Sequence, residues 1–332
     1  MNNIFSTAKE LILQSQNIVI MQADNPDSDS LGAALALEAV LDNLGKNVAL
    51  FCAVDIPNYI KIFDGWSRVS NEIPSEIDLA IIVDCSTSAL FEKAIESKQF
   101  QNILSKPVII FDHHATSEQD IEGLNIVNSS ASSACEVVYE FTKDSYHDLP
   151  KDALLPIMSG ILGDTQGLTN QLATARTYEI MADLIKDGAD RPELEKRRRE
   201  LSKMHPSIYK YKAKLIERTQ FALDGQIAFL TIPQSEIIEY SPLYNPGPLI
   251  QPDMLMTEGV RVGIVFKSYD DGKITGMIRC NQDAGIAGKI ANALGGGGHD
   301  FAAGFKITDG RSIKDIENYT IEYTVKYLEE LK

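Results

Sequence analysis

Four apolar runs in the first half of the chain each lead into an acidic turn, and that repetition constrains the fold more than any other feature. Ile18-Val19-Ile20-Met21 runs into Asn25-Pro26-Asp27-Ser28-Asp29. Leu79 to Val83 ends in Asp84, Val108 to Phe111 ends in Asp112-His113-His114, and Ile157 to Leu162 leads to Gly163-Asp164-Thr165. Short apolar strands alternating with helical patterns predict an α/β fold with a doubly wound, mainly parallel sheet. The carboxyl edge of such a sheet gathers the turns that follow its strands. Taken singly, each aspartate reads as a helix cap or turn residue. Together they would repel one another by about 4 kcal/mol per pair at 4 Å and an effective dielectric of 20, so a cation is needed to hold them. Aspartates with imidazole suit Mn²⁺ or Mg²⁺. The cysteines at 52, 85, 135 and 280 are too scattered for a structural zinc site.

Helical spacing appears at Leu31 to Leu44, opened by Ser30 and closed by Gly45, and again over 132–141, 153–162 and 174–186. These patterns place a catalytic domain at 1–189. A charge-rich stretch follows, with Arg197-Arg198-Arg199 at its centre, and reads as a helical linker over 190–216 whose arginines form an exposed face. Strand patterns at 226–232, 260–267 and 273–280, with helical ones at 284–294 and 313–330, predict a smaller α/β domain over 217–332. Pro242 to Pro252, with four prolines, reads as an irregular loop.

Acidic residues outnumber basic ones 47 to 31, a formal charge of -16. Long polyanions are bound by neutralising their phosphates with Lys and Arg, so the balance argues against duplex or long single strands as partners. Unpaired cysteines and the lack of an apolar leader or span predict a cytoplasmic protein with no membrane partner. Cys85 reads as a small buried hydrophobe. Apolar helix faces could pack within the chain or between two copies, which leaves a homodimer open.

The ordered series Asn25-Pro26-Asp27-Ser28-Asp29-Ser30-Leu31-Gly32, Asp84, Asp112-His113-His114, Gly163-Asp164-Thr165 and Gly295-Gly296-Gly297-Gly298-His299-Asp300-Phe301-Ala302-Ala303-Gly304 resembles the DHH phosphoesterases. The last motif resembles the DHH-associated C-terminal domain of the nanoRNase and pAp-phosphatase branch. The resemblance implies two divalent cations, Mn²⁺ before Mg²⁺, and hydrolysis of short oligoribonucleotides, linear dinucleotides or pAp by metal-activated water. It implies that Asp84 bridges the ions, that Asp27 ligates the first, and that Asp29, His113 and Asp164 ligate the second. His114 would bind phosphate or assist proton transfer. Arg279, Gly296, Gly297, Gly298 and His299 would hold the far end of the substrate, the glycines through backbone N–H groups free of side chains. Cys280 stands where the family often has serine.

One position departs from the family pattern. Three residues before Pro26, where the family has a histidine that ligates the first ion, this chain has Ala23. Gln22 and Asp24 should point away from Ala23 in an extended segment, although a local turn could re-aim Asp24. A sound second metal site and a weaker first one are expected. A catalytically weakened nucleotide-binding or regulatory module is the alternative, and a pyrophosphatase is disfavoured by the glycine-histidine motif.

Overall fold

Runs of Ile, Val and Leu without polar alternation call for strands buried on both faces, and the first half of the molecule provides them. In the computed structural model, which describes residues 2–96, 99–114, 120–241 and 243–331, six strands form one sheet. They are β1 (Asn17–Met21), β2 (Asn47–Phe51), β3 (Val69–Ser70), β4 (Leu79–Val83), β5 (Val108–Asp112) and β6 (Leu124–Val127). Their order is β3-β2-β1-β4-β5-β6, and every pairing is parallel. Ile18, Ile20, Ile81, Val83, Ile109 and Phe111 pack toward helices Asn2–Gln14, Ser28–Asn43, Ala134–Tyr146 and Lys151–Asp164. Val19, Met21, Ala80, Ile82 and Ile110 pack on the opposite face against Phe91, Ala94, Phe100 and Ile103. Strand order reverses between β1 and β4, so the loops leaving these two strands diverge and a site can form where they part.

Two helices are drawn together where the site will stand. A Cβ on Gly32 would lie 2.5 Å from the Pro156 carbonyl oxygen, and one on Gly160 would lie 2.3 Å from Cys135 Sγ and 2.7 Å from Asp29 Oδ1. Only glycine permits this approach of Ser28–Asn43 to Lys151–Asp164, which sets Asp29 at the start of one helix beside Asp164 at the end of the other.

The chain divides into two compact units after Lys203. The stretch expected as a linker is helical but does not stand free of the two cores. Arg191–Leu201 buries Leu194 in the first unit, whereas Pro206–Arg218 buries Ile208, Tyr211 and Leu215 in the second. Arg197 pairs with Glu193 and Asp64, while Arg198 and Arg199 pair with Glu195. This triplet is a helix face satisfied by its own acids.

The second unit has a six-stranded sheet: β7 (Gln220–Ala222), β8 (Ile227–Pro233), β9 (Val262–Ser268), β10 (Ile274–Cys280), β11 (Gly297–His299) and β12 (Ala302–Ile307). Its order is β11-β12-β10-β9-β8-β7, antiparallel except for β8 with β9. Helices Ala287–Ala293 and Ile313–Glu329 cover one face through Ala287, Ile290, Ile316 and Leu328. Helices Pro206–Arg218 and Pro246–Leu255 cover part of the other.

The loop expected from the prolines is largely that last helix. Asn245 Oδ1 accepts the Gly247 N–H at 3.3 Å, and Pro246 occupies the first helical position, where no backbone donor is needed. Leu249, Ile250 and Met254 then bury one face. Pro242 lies outside the described residues.

Candidate metal centre

Asp27 starts helix Ser28–Asn43 three residues earlier than apolar spacing suggests. Its Oδ1 accepts the N–H groups of Asp29 and Ser30 at 2.9 and 3.0 Å, and Ser30 Oγ accepts the Asp27 N–H at 2.9 Å. Such a cap contributes about 1 kcal/mol. It also fixes Asp29 in the first turn, fully buried, with its carboxylate at the N-terminus of helix Ala134–Tyr146. There Asp29 Oδ2 and Oδ1 accept the N–H groups of Ala134 and Cys135 at 2.6 and 2.9 Å. A helix N-terminus favours a buried anion.

Three further ligand candidates converge on the same point. His113 Nε2 lies 3.1 Å from Asp164 Oδ2, 3.5 Å from Asp84 Oδ1 and 3.9 Å from Asp29 Oδ2. Nevertheless His113 Nε2 and Asp84 Oδ1 are buried without an aligned hydrogen-bond partner. Close oxygens and nitrogen left unpaired in this way fit ligands arranged for a cation. Asp29, His113 and Asp164 form one three-atom group of suitable size, and Asp84, His113 and His114 form another.

Electrostatics show the cost of bringing these groups together. Burial pushes the Asp84 carboxyl up to about 6, with Asp27 and Asp164 adding repulsion. Burial likewise holds Asp29 well above the ordinary carboxylate range, helped by Asp84 and Asp164. For His113, burial opposes charge, but the carboxylates of Asp164, Asp84 and Asp29 outweigh it and push the imidazolium up to about 11. Asp84 also sits at φ 59°, in the left-handed region, a conformation that non-glycine residues keep chiefly where the surroundings impose it.

His114 is placed differently. Half exposed, it directs Nδ1 to Asp112 Oδ1 at 2.8 Å and stands 3.6 Å from Asp84 Oδ1. Asp112 raises the imidazole above its ordinary value, while burial and the His114 contact compete at Asp112 itself, the contact prevailing to lower it. Asp112 thus orients a ring whose outer nitrogen remains available.

The position expected of the first ion is less complete. Asp27 falls in neither three-atom group, one of its oxygens being engaged by its own helix. Ala23 is buried and offers only its carbonyl, which accepts from Cys52 Sγ at 3.4 Å. Asp24 is held locally, its N–H donating to the Leu90 carbonyl and its Oδ2 accepting the Lys93 N–H at 2.6 Å, whereas its Oδ1 is buried without a hydrogen-bond partner. Gln22 is buried with both side-chain polar atoms unpaired, a feature that alternation of strand faces does not disclose. Cys85 is buried, donates to the Thr87 carbonyl, and is pushed up to about 12 by burial.

In the second unit the glycine run is not a freely exposed cradle. The Gly295 and Gly296 N–H groups donate to the Asn292 and Ala291 carbonyls, ending helix Ala287–Ala293. Gly297 to His299 then form edge strand β11. Cross-strand register aligns His299 with Ala302 and Ala302 with Arg279. Paired residues share a sheet face, so Arg279 and His299 flank a small floor residue. Strands β11 and β12 were not legible as strands because glycine and alanine dominate them.

Residues 17–161 match the DHH family, N-terminal domain, and residues 250–326 match the DHHA1 domain. A cyclic-di-AMP phosphodiesterase of Geobacillus thermodenitrificans is 28% identical over 91% of this chain, which spans 46% of that relative's length. A probable bifunctional oligoribonuclease and PAP phosphatase of Streptococcus mutans is 24% identical, with 90% of this chain and 92% of the relative covered. The crystal structure of an exopolyphosphatase-related protein from Bacteroides fragilis superimposes with a TM-score of 0.81 at 18% identity, covering 98% of both chains.

Proposed function

We infer, from a chain that belongs to the DHH family and carries both its N-terminal and DHHA1 domains, a two-metal phosphoesterase acting on short oligoribonucleotides, linear dinucleotides or pAp. The observation that carries this reading is the convergence of Asp29, Asp84, His113 and Asp164 around buried atoms with no aligned partner. Relatives named for oligoribonucleotides and pAp that match over most of their own length support the substrate class.

Bound divalent cations, with Mn²⁺ proposed, supply an activated water and neutralise charge developing on phosphorus. The protein's own groups do the rest. By the family resemblance Asp84 would serve both positions, while Asp29, His113 and Asp164, which the fold brings into one group, would hold the second. Asp27 serves the first. His114, oriented by Asp112, stands at the rim to hold phosphate or pass a proton to the leaving oxygen. Arg279, His299 and the Gly296-Gly297-Gly298 edge bind the substrate's phosphate or base.

A hydrolysis screen over two- to five-nucleotide RNAs, linear di-adenylate and pAp, comparing Mn²⁺ with Mg²⁺, tests the reading. Turnover of at least one of these is expected. Tight binding without turnover at saturating metal would instead favour a nucleotide-binding module, a reading that Ala23 supports.

A further inference from the structure

The second sheet has one face only partly covered. Its helix Pro246–Leu255 packs Leu249, Ile250 and Met254 over Ala228, Leu230 and Val265 of β8 and β9. Beyond β9 the same face carries Thr275, Met277 and Arg279 of β10, Ala302, Gly304 and Lys306 of β12, and Gly297 and His299 of β11. Their neighbours in the strands, Ile274, Ile278, Ala303, Phe305 and Ile307, face the opposite core. Every residue of this set is exposed or intermediate, but Met277 is covered by helix Pro246–Leu255, its Sδ 2.7 Å from where a Cβ on Gly247 would stand and its carbonyl accepting from Gln251 Nε2 at 3.0 Å.

These residues fall into three rows. His299, Ala302 and Arg279 form the first, Gly297, Gly304 and Met277 the second, and Lys306, Thr275 and Lys267 the third. The first and third rows are separated by four residues, about 13 Å of strand. Arg279 donates to the Ile278 carbonyl at 3.4 Å, and neither it nor Lys306 pairs with an acid among the described residues. Lys267 is held by Asn245 Oδ1 at 2.9 Å. In a chain with a formal charge of -16, two cationic rows on one sheet face, with glycines of β11 and β12 between them, suit an extended anion.

We propose that the Lys306-Thr275-Lys267 row is a second phosphate-binding subsite, which extends the grip of the Arg279-His299 row along β10 and β12 and favours oligonucleotides longer than a dinucleotide. The inference rests on the function proposed above. A separation of about 13 Å exceeds the step between neighbouring phosphates of one strand, so a dinucleotide or pAp engages the first row alone. Longer oligomers reach Lys306.

The test is direct binding of oligoadenylates of two to five nucleotides, and of pAp, to the full chain in chelator, by calorimetry. Lys306→Gln should weaken binding of the longest oligomers about tenfold and lower the slope of affinity against salt by about 0.7, while binding of the dinucleotide and pAp stays as in the wild type. Arg279→Gln should weaken all of them. Equal loss at every length for Lys306→Gln, or no loss at any, would overturn the subsite. If the wild type binds none of these ligands in chelator, and Asp84→Asn loaded with Mn²⁺ binds none either, the proposed function fails and the subsite with it.

Discussion

Asp27 and Asp29 stand two residues apart in one turn, yet the molecule holds them by different means. Asp29 is fully buried, and both its oxygens accept N–H groups from a helix more than a hundred residues away in the chain. Asp27 is engaged by its own helix, and the buried Ala23 stands where the family resemblance implies a histidine ligand. Tertiary contacts therefore fix Asp29 of the proposed second position, whereas Asp27 of the proposed first depends on a local cap. A site made by long-range packing is organised before its ion arrives; one made by a cap must be completed by ligands that can move.

The largest expected effect removes the group shared by both positions. Asp84→Asn should reduce turnover about a thousandfold or more without unfolding the chain, because asparagine tolerates the left-handed backbone found there. Circular dichroism with a Mn²⁺ rate titration checks this. Near-normal turnover by a folded variant would break the two-metal assignment.

Unfolding in urea with chelator present separates the two aspartates. Asp29→Ala leaves the Ala134 and Cys135 N–H groups buried without acceptors and should cost about 2–4 kcal/mol, against about 1 kcal/mol for Asp27→Ala as a lost cap. Equal costs would erase the contrast between long-range and local support.

The acidic turns were legible because each follows an apolar strand, and strand ends of a parallel sheet share an edge. Apolar periodicity located most helices but misplaced the start of Ser28–Asn43, since it ignores the Asp27 cap. It also hid Pro246–Leu255, where proline chemistry suggested a loop and buried Leu249, Ile250 and Met254 stabilised a helix. The roles of Gly32 and Gly160 were not legible at all, because the atoms they admit come from distant segments. Nor was the row joining Arg279 to His299, which depends on strand register.

Metal uptake sharpens the comparison through protons. With His113 pushed up to about 11, its ring is protonated at neutral pH and must lose that proton to ligate. Between pH 8 and 6, below that value throughout, affinity at the proposed second position should fall by at least about tenfold for each unit of acidification, since Asp29 is also held above the ordinary carboxylate range. Calorimetry in buffers of different ionisation enthalpy should show at least about one proton released per ion bound there. Without metal the sign is reversed: the stability contributed by charged His113 is complete below its ordinary value of 6.5 and is lost as pH rises through about 11. Metal uptake with no linked proton would contradict the charged ring.

Ala23→His should give the smallest change, lowering the Mn²⁺ concentration for half-maximal rate by up to about tenfold, or 1.4 kcal/mol. A Mn²⁺ titration of hydrolysis beside calorimetric counting of ions checks it. Two tightly held ions in the wild type, with no response to the substitution, would show the first position already complete.

The ligands from Asp27 to Asp164 come from four separated strand and helix ends, and none of the resulting groupings survives in an extended chain. Metal affinity is therefore a property of the finished first unit alone, and mass action joins the two equilibria. At free metal a hundredfold above its dissociation constant, one ion would add about 2.7 kcal/mol to the native state. If the proposed metal centre holds, the concentration of available cation sets how much of this protein persists folded, as well as how fast it works.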